Sequence, residues 1–153
     1  MEGRELAEYK HTQIGYLMLT FIAVGVLLVL NYFYLSGGAN PFLLVILAAL
    51  AVCLLLFSIL TVKVDAEEVS LRFGVGLIRK RFPLPEIESH SAVRNPWYYG
   101  WGMRRTPIGW LYNVSGLEAV EIAMKDGRKV RIGTDDPAGL DAAIGAALSS
   151  KRA

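Results

Sequence analysis

The sequence predicts an α+β membrane protein: an N-terminal transmembrane α-hairpin, then an antiparallel β domain closed by a C-terminal helix. Three observations predict it. The 16 basic and 14 acidic residues all lie within 1–11 or 63–153, so residues 12–62 carry no charge at all. Beyond residue 63 the apolar residues fall into short period-two runs separated by glycine and proline. After Asp136 the spacing changes to three and four, the period of a helix. The chain therefore divides into an N-terminal tail (1–11), a hairpin (12–62) and a β-rich domain (63–153). An uncharged run of that length excludes an ordinary soluble globule and a disordered chain. The single cysteine, Cys53, excludes a disulfide scaffold.

The hairpin breaks at Ser36-Gly37-Gly38-Ala39-Asn40-Pro41, giving helices of about 13–35 and 41–62. At 1.5 Å per residue each would be roughly 33–35 Å long, enough for a hydrocarbon core of about 30 Å. Lysine and arginine are absent from the turn and present on both outer flanks, at Arg4 and Lys10 and at Lys63, Arg72 and Arg79 to Arg81. The expected site is therefore the cytoplasmic (inner) membrane, crossed twice, with both termini cytoplasmic. A cleaved leader is the poorer reading, because the first apolar run is long and is preceded by the acidic Glu2, Glu5 and Glu8. Gly15, Ala23, Gly25, Ala48, Ala49, Ala51 and Cys53 allow close helix approach, either within the hairpin or between copies of the chain. The span holds no carboxylate, amine or imidazole, so the chain by itself is not expected to conduct ions or protons.

In the domain, Leu60 to Val64 leads out of the second helix as a strand. Val69 to Phe73 alternates, Gly74-Val75-Gly76 turns, and Leu77 to Phe82 returns until Pro83 and Pro85 stop it. Ile87 to Val93, Trp110 to Val114 and Glu118 to Met124 read as further strands. Lys125-Asp126-Gly127-Arg128 is a hairpin turn leading into Lys129 to Ile132. Leu140, Ala143, Ile144, Ala147 and Leu148 then mark one amphipathic helix, with Thr134, Asp135 or Asp136 as its cap and Pro137 in its first turn.

Several antiparallel strands followed by one helix, set behind two membrane helices, resemble the bacterial pleckstrin-homology-like domains of small membrane proteins. The likeness rests on Val69 to Gly74, on Pro85 to Ser89, and on Val120-Glu121-Ile122 with Gly127-Arg128 and Val130 to Pro137. It implies a strongly bent sheet or barrel closed at one end by the final helix. The aromatic, glycine-rich Gly100 to Arg105 departs from that pattern.

Catalytic chemistry has little to stand on. His11 and His90 flank the hairpin, and no Cys-x-x-Cys, His-x-x-x-His or Gly-x-Ser-x-Gly is present. His11 reads as a solvated residue beside the membrane, His90 as an outward strand residue, and Asp141 as part of a solvated helix face. No enzyme activity, cofactor or metal site is expected. Residues 63–153 carry only a slight basic excess with no extended basic stripe, so nucleic acid is not an expected partner.

The unusual segment runs from Arg94 to Tyr112 and holds Trp97, Tyr98, Tyr99, Trp101, Arg104, Arg105 and Trp110 without one acidic residue. Three roles suit that mixture: filling the domain core, meeting lipid headgroups, or forming a hot spot for a protein partner. The expected contact surface is Trp97, Tyr98, Tyr99, Trp101, Arg104 and Arg105, together with Arg79, Lys80 and Arg81 on a strand. Membrane lipids are the expected partner. A larger membrane transport or secretion complex, or a second copy of the chain, is the alternative.

Overall fold

The computed structural model describes residues 8–38 and 40–152. Glu2, Arg4, Glu5 and Ala39, which entered the reading of the tail and turn, lie outside them. The chain begins with strand β1 (Tyr9–Ile14), followed by helix α1 (Tyr16–Ser36), helix α2 (Pro41–Phe57) and strand β2 (Ile59–Val64). The uncharged block is thus shorter in helix than its composition suggests, because both of its ends are strand. β1 and β2 pair antiparallel in the register His11↔Val62 and Ile14↔Ile59, so a strand pair runs directly into a helix pair.

Each junction has a local cause. Gly15 donates its N–H to the Ser58 carbonyl at 2.7 Å, and a Cβ at this position would lie 2.8 Å from the Val114 carbonyl oxygen. Ser58 ends α2 by turning both its N–H and its hydroxyl back to the Leu54 carbonyl. The β-branched Ile59, Thr61, Val62 and Val64 then favour extended backbone. At the other end, Gly37 closes α1 in the left-handed conformation. Asn40 caps α2 by accepting the Phe42 N–H at 2.9 Å, with Pro41 in the first turn.

Among the described residues α1 alone is long and apolar enough to cross a bilayer; α2, at 17 residues, is shorter. At 1.5 Å per residue α2 reaches about 26 Å, just under a hydrocarbon core of about 30 Å. Only Ile22 in α1 and Leu43 in α2 are buried, and apolar side chains cover the rest of both surfaces apart from Thr20, Asn31 and Ser36 of α1. Gly25 lets the Leu50 side chain approach to 3.4 Å of where a Cβ would sit, whereas Ala48, Ala49 and Ala51 are exposed.

β1 and β2 continue into β3 (Glu68–Phe73) and β4 (Ile78–Pro83) as a four-stranded antiparallel sheet in sequence order. A second sheet contains β5 (Ile87–Arg94), β6 (Gly102–Arg105), β7 (Trp110–Asn113), β8 (Glu118–Met124) and β9 (Lys129–Gly133), in the order β5-β8-β9-β7-β6. All its pairs are antiparallel except β7 with β9. The two sheets share no ladder, so the barrel implied by the resemblance does not close. Pro83 and Pro85 have no N–H to continue a ladder, and between them Leu84 turns into the core, carrying the chain from one sheet to the other. β1 and β4 are the edges of the first sheet, and β5 and β6 those of the second.

Helix α3 (Pro137–Arg152) covers the core with Leu140, Ile144 and Ala147, packing on β5, β8 and the Leu84 turn, which bring Ile87, Ile122 and Leu84 into the same buried cluster. Asp136 is its cap, accepting the Gly139 N–H at 3.0 Å. β1 ties the two sheets together. Its alternate residues Tyr9, His11 and Gln13 all reach the segment before α3, bonding Asp136 (3.1 Å), Asp135 (2.5 Å) and the Gly133 carbonyl. Burial and the Asp136 hydrogen bond push the Tyr9 phenol well above its ordinary value. His11 is thus held by a hydrogen bond to Asp135 at the surface. His90 likewise faces α3, with Nδ1 2.6 Å from Asp141, so neither residue stands on a purely solvated face.

Candidate interface at the base of the helix hairpin

The nine residues picked out in the sequence do not form one patch. On β4, Arg79 stands opposite Arg72 and Arg81 opposite Ser70, on the outer face of the first sheet. Lys80 stands opposite the buried Leu71 and turns the other way. Lys80 and Arg81 border a cleft of about 390 Å³ between the sheets, with Met103, Trp110 and Tyr112. Its charge is largely satisfied, because Arg81 meets Glu68 at 3.5 Å, Arg128 meets Asp126 and Lys129 meets Glu121 at 3.1 Å. Hydrogen bonds from Arg128 hold the Asp126 carboxyl below its ordinary value. Burial raises the Tyr112 phenol.

The segment from Asn95 to Arg105 is anchored at its ends and open in the middle. Asn95 donates its N–H to the Leu117 carbonyl at 2.7 Å, and its side-chain oxygen accepts Arg131 at 3.0 Å. Trp101 donates Nε1 to the Gly116 carbonyl at 3.1 Å. Between these pins the helical turn Trp97–Tyr99 leaves Trp97 74% and Tyr98 65% exposed. Trp110 is 45% exposed and stacks on Tyr112, so none of the three tryptophans belongs to the core. Core filling is thereby excluded as their main role.

Trp101 and Arg104 form one wall of a hollow of about 440 Å³ whose other walls are α1 and α2, including Phe21, Leu50, Cys53 and Phe57. Arg104 donates to the Tyr99 carbonyl at 2.9 Å. Among the described residues no carboxylate lies within 4.0 Å of its guanidinium. Arg105 is exposed on β6 opposite Trp110, across from the face that carries Arg104.

A second loop at the same level was not legible as an interface. The β3–β4 turn packs on the end of α2: Val75 donates its N–H to the Leu55 carbonyl at 3.3 Å. Its apolar Val75 and Leu77 side chains are exposed. Arg79 Nε caps the Gly76 carbonyl at 2.7 Å, and the Arg72 guanidinium lies over Gly76 as well. Two exposed apolar side chains flanking Gly76 give no periodic signal; only their height on α2 makes them notable. Gly74 permits that packing, because its φ is +51° and a Cβ there would fall 1.8 Å from the Leu55 carbonyl oxygen. Gly74→Ala should lower the stability of the full chain by on the order of 1–3 kcal/mol, measured by denaturant unfolding in mild detergent. Gly116→Ala, also at positive φ but with open space around it, should cost less.

Among the described residues no group of three or more His, Cys, Asp or Glu is arranged to hold a metal ion. No protein-family model matches the chain, and no curated protein matches it.

Proposed function

We propose that this chain is a non-enzymatic, membrane-anchored binding or assembly module of the pleckstrin-homology-like kind. The helix hairpin inserts from the cytoplasmic leaflet with both termini cytoplasmic, and the domain meets lipid headgroups or a partner there. One observation carries the reading: the exposed aromatic and basic segment Trp97 to Arg104 abuts the bases of two uncharged helices whose exposed surfaces are very largely apolar. An apolar helix surface of that extent is stable only when something other than water covers it. Tryptophan, tyrosine and arginine beside its end are the residues that settle at headgroup level. On the β3–β4 turn the aliphatic Val75 and Leu77 are likewise exposed beside basic residues, Arg72 and Arg79.

The test needs the full chain, because β1 belongs to the first sheet and a fragment starting at Lys63 lacks it. Single-tryptophan variants are reconstituted into vesicles containing lipids brominated along the acyl chain. Trp97 and Trp101 fluorescence is expected to be quenched, and Trp110, inside the cleft between the sheets, is expected to be spared. Equal insensitivity of all three would defeat the reading. A second reading, an accessory subunit of a larger membrane complex, draws on the exposed Ala48, Ala49 and Ala51 of α2. It requires a stoichiometric membrane partner to co-purify in mild detergent and to be lost in Ala48→Leu or Ala51→Leu.

A further inference from the structure

We infer that the hollow at the hairpin base is a binding site for one anionic glycerophospholipid, with an acyl chain between α1 and α2 and the phosphate on Arg104. The inference rests on the membrane-anchored reading above and goes beyond it by naming a ligand and a stoichiometry. At about 440 Å³ the hollow lies in the range of small-molecule sites, roughly 300–1,000 Å³. Its helix walls are hydrocarbon and aromatic ring, from Phe21, Leu50 and Phe57, with the Cys53 thiol among them. Among the described residues the sole charged group lining it is Arg104. Such a wall has no use for a polar solute, and such a charge has no use for a neutral alkane; an amphiphile with an acidic head satisfies both.

The local geometry holds the cation in place. One Arg104 nitrogen is spent on the Tyr99 carbonyl, which leaves the remaining N–H donors of the guanidinium for a phosphate. Gly100 keeps that space clear, since a Cβ there would sit 2.9 Å from the same guanidinium nitrogen. Trp101 is fixed by its bond to Gly116, so the wall opposite the helices is preformed rather than assembled around the ligand. A phospholipid from the bilayer reaches this hollow without leaving the membrane, because its walls are the two helices themselves. A zwitterionic lipid offers the same chain but cancels its phosphate charge with its own amine, so preference for an anionic head is the signature.

The full chain is reconstituted into nanodiscs holding equal phosphatidylglycerol and phosphatidylcholine, then released into mild detergent for native mass spectrometry. One phosphatidylglycerol per chain should be retained, about ten-fold over phosphatidylcholine, as one charge-assisted contact allows. Arg104→Gln should abolish the preference, and Cys53→Trp, which fills the hollow, should abolish retention. Arg94→Gln, removing an exposed cation paired with Glu118 outside the hollow, should change neither. Bound phosphatidylglycerol should also slow maleimide labelling of Cys53 several-fold, and Arg104→Gln should restore the rate. Equal retention of both lipids, a preference unmoved by Arg104→Gln, or a protein segment found covering Cys53 instead would overturn the proposal. Those results with Trp97 and Trp101 still quenched by brominated lipid sink the lipid site alone; loss of quenching as well sinks the membrane reading beneath it.

Discussion

Glu121→Ala should lower the unfolding free energy of the full chain by about 3–5 kcal/mol, because it strands a nearly buried guanidinium. Glu121 on β8 faces Arg131 on β9 in register, accepting Nε at 2.8 Å, and takes Lys129 on its other oxygen at 3.1 Å. Glu121 and Arg131 are only 14% and 12% exposed, so water replaces the lost partner incompletely. Arg131 also carries the Asn95 side chain, so the change should loosen the segment that presents Trp97 and Tyr98. Denaturant unfolding in mild detergent reads the stability, and Trp97 fluorescence reads the segment. Glu121→Leu combined with Arg131→Met should recover most of the loss, since it removes both charges together. A single variant as stable as the parent, or a double variant no better than the single, would show that the pair carries no such weight.

The same residue sets a pH dependence. Burial opposes the charge on Glu121, but hydrogen bonds from Arg131 and Lys129 outweigh it and hold the carboxyl below its ordinary 4.5. A carboxyl depressed on folding contributes fully above its unfolded value and loses that contribution as pH falls through the folded one. Stability should therefore fall below about pH 4.5 in the parent, and fall less steeply in Glu121→Ala. Asp65, depressed chiefly by the Glu67 N–H, acts in the same direction, so the variant's profile keeps some slope.

Phe73→Ala should cost a further class of stability, about 3–5 kcal/mol, through an unfilled cavity. Phe73 is fully buried and touches two parts of the molecule outside its own sheet. Its ring meets Phe57 at the end of α2 edge-on at 6.3 Å and Tyr112 of the second sheet at 6.2 Å. Losing it should uncouple the hairpin base from the domain as well as weaken the core. Phe73→Leu keeps most of the volume and should lose less than half as much. A loss in Phe73→Ala no greater than in Phe73→Leu would mean that the surroundings collapse around the site.

Much of the domain was legible because its signals are local. Val69 to Phe73 alternates inside six residues, Asp126-Gly127 makes a hairpin turn wherever it stands, and Asp136 before Pro137 is a helix start by its own chemistry. The strand β1 was not legible, because its partner lies beyond the whole hairpin, at Ile59–Val64. The end of α2 at Phe57 escaped for a related reason: leucine, isoleucine and valine suit an apolar helix and a buried strand equally, and ladder pairing decides between them. The contacts of His11 with Asp135 and of His90 with Asp141 bridge distant segments, so neither histidine's surroundings were written near it.

What the sequence determined by itself is where charge is absent, where the period changes and which residues are aromatic and basic, because solvent preference and local backbone preference belong to each residue and its neighbours. Which strands share a ladder, where the helices give way to sheet, and that Trp101 and Arg104 close a hollow against Phe21 and Phe57 were decided only by the tertiary structure. Those features depend on hydrogen bonds and packing between segments far apart in the chain. Such contacts form only when the rest of the fold has brought the segments together.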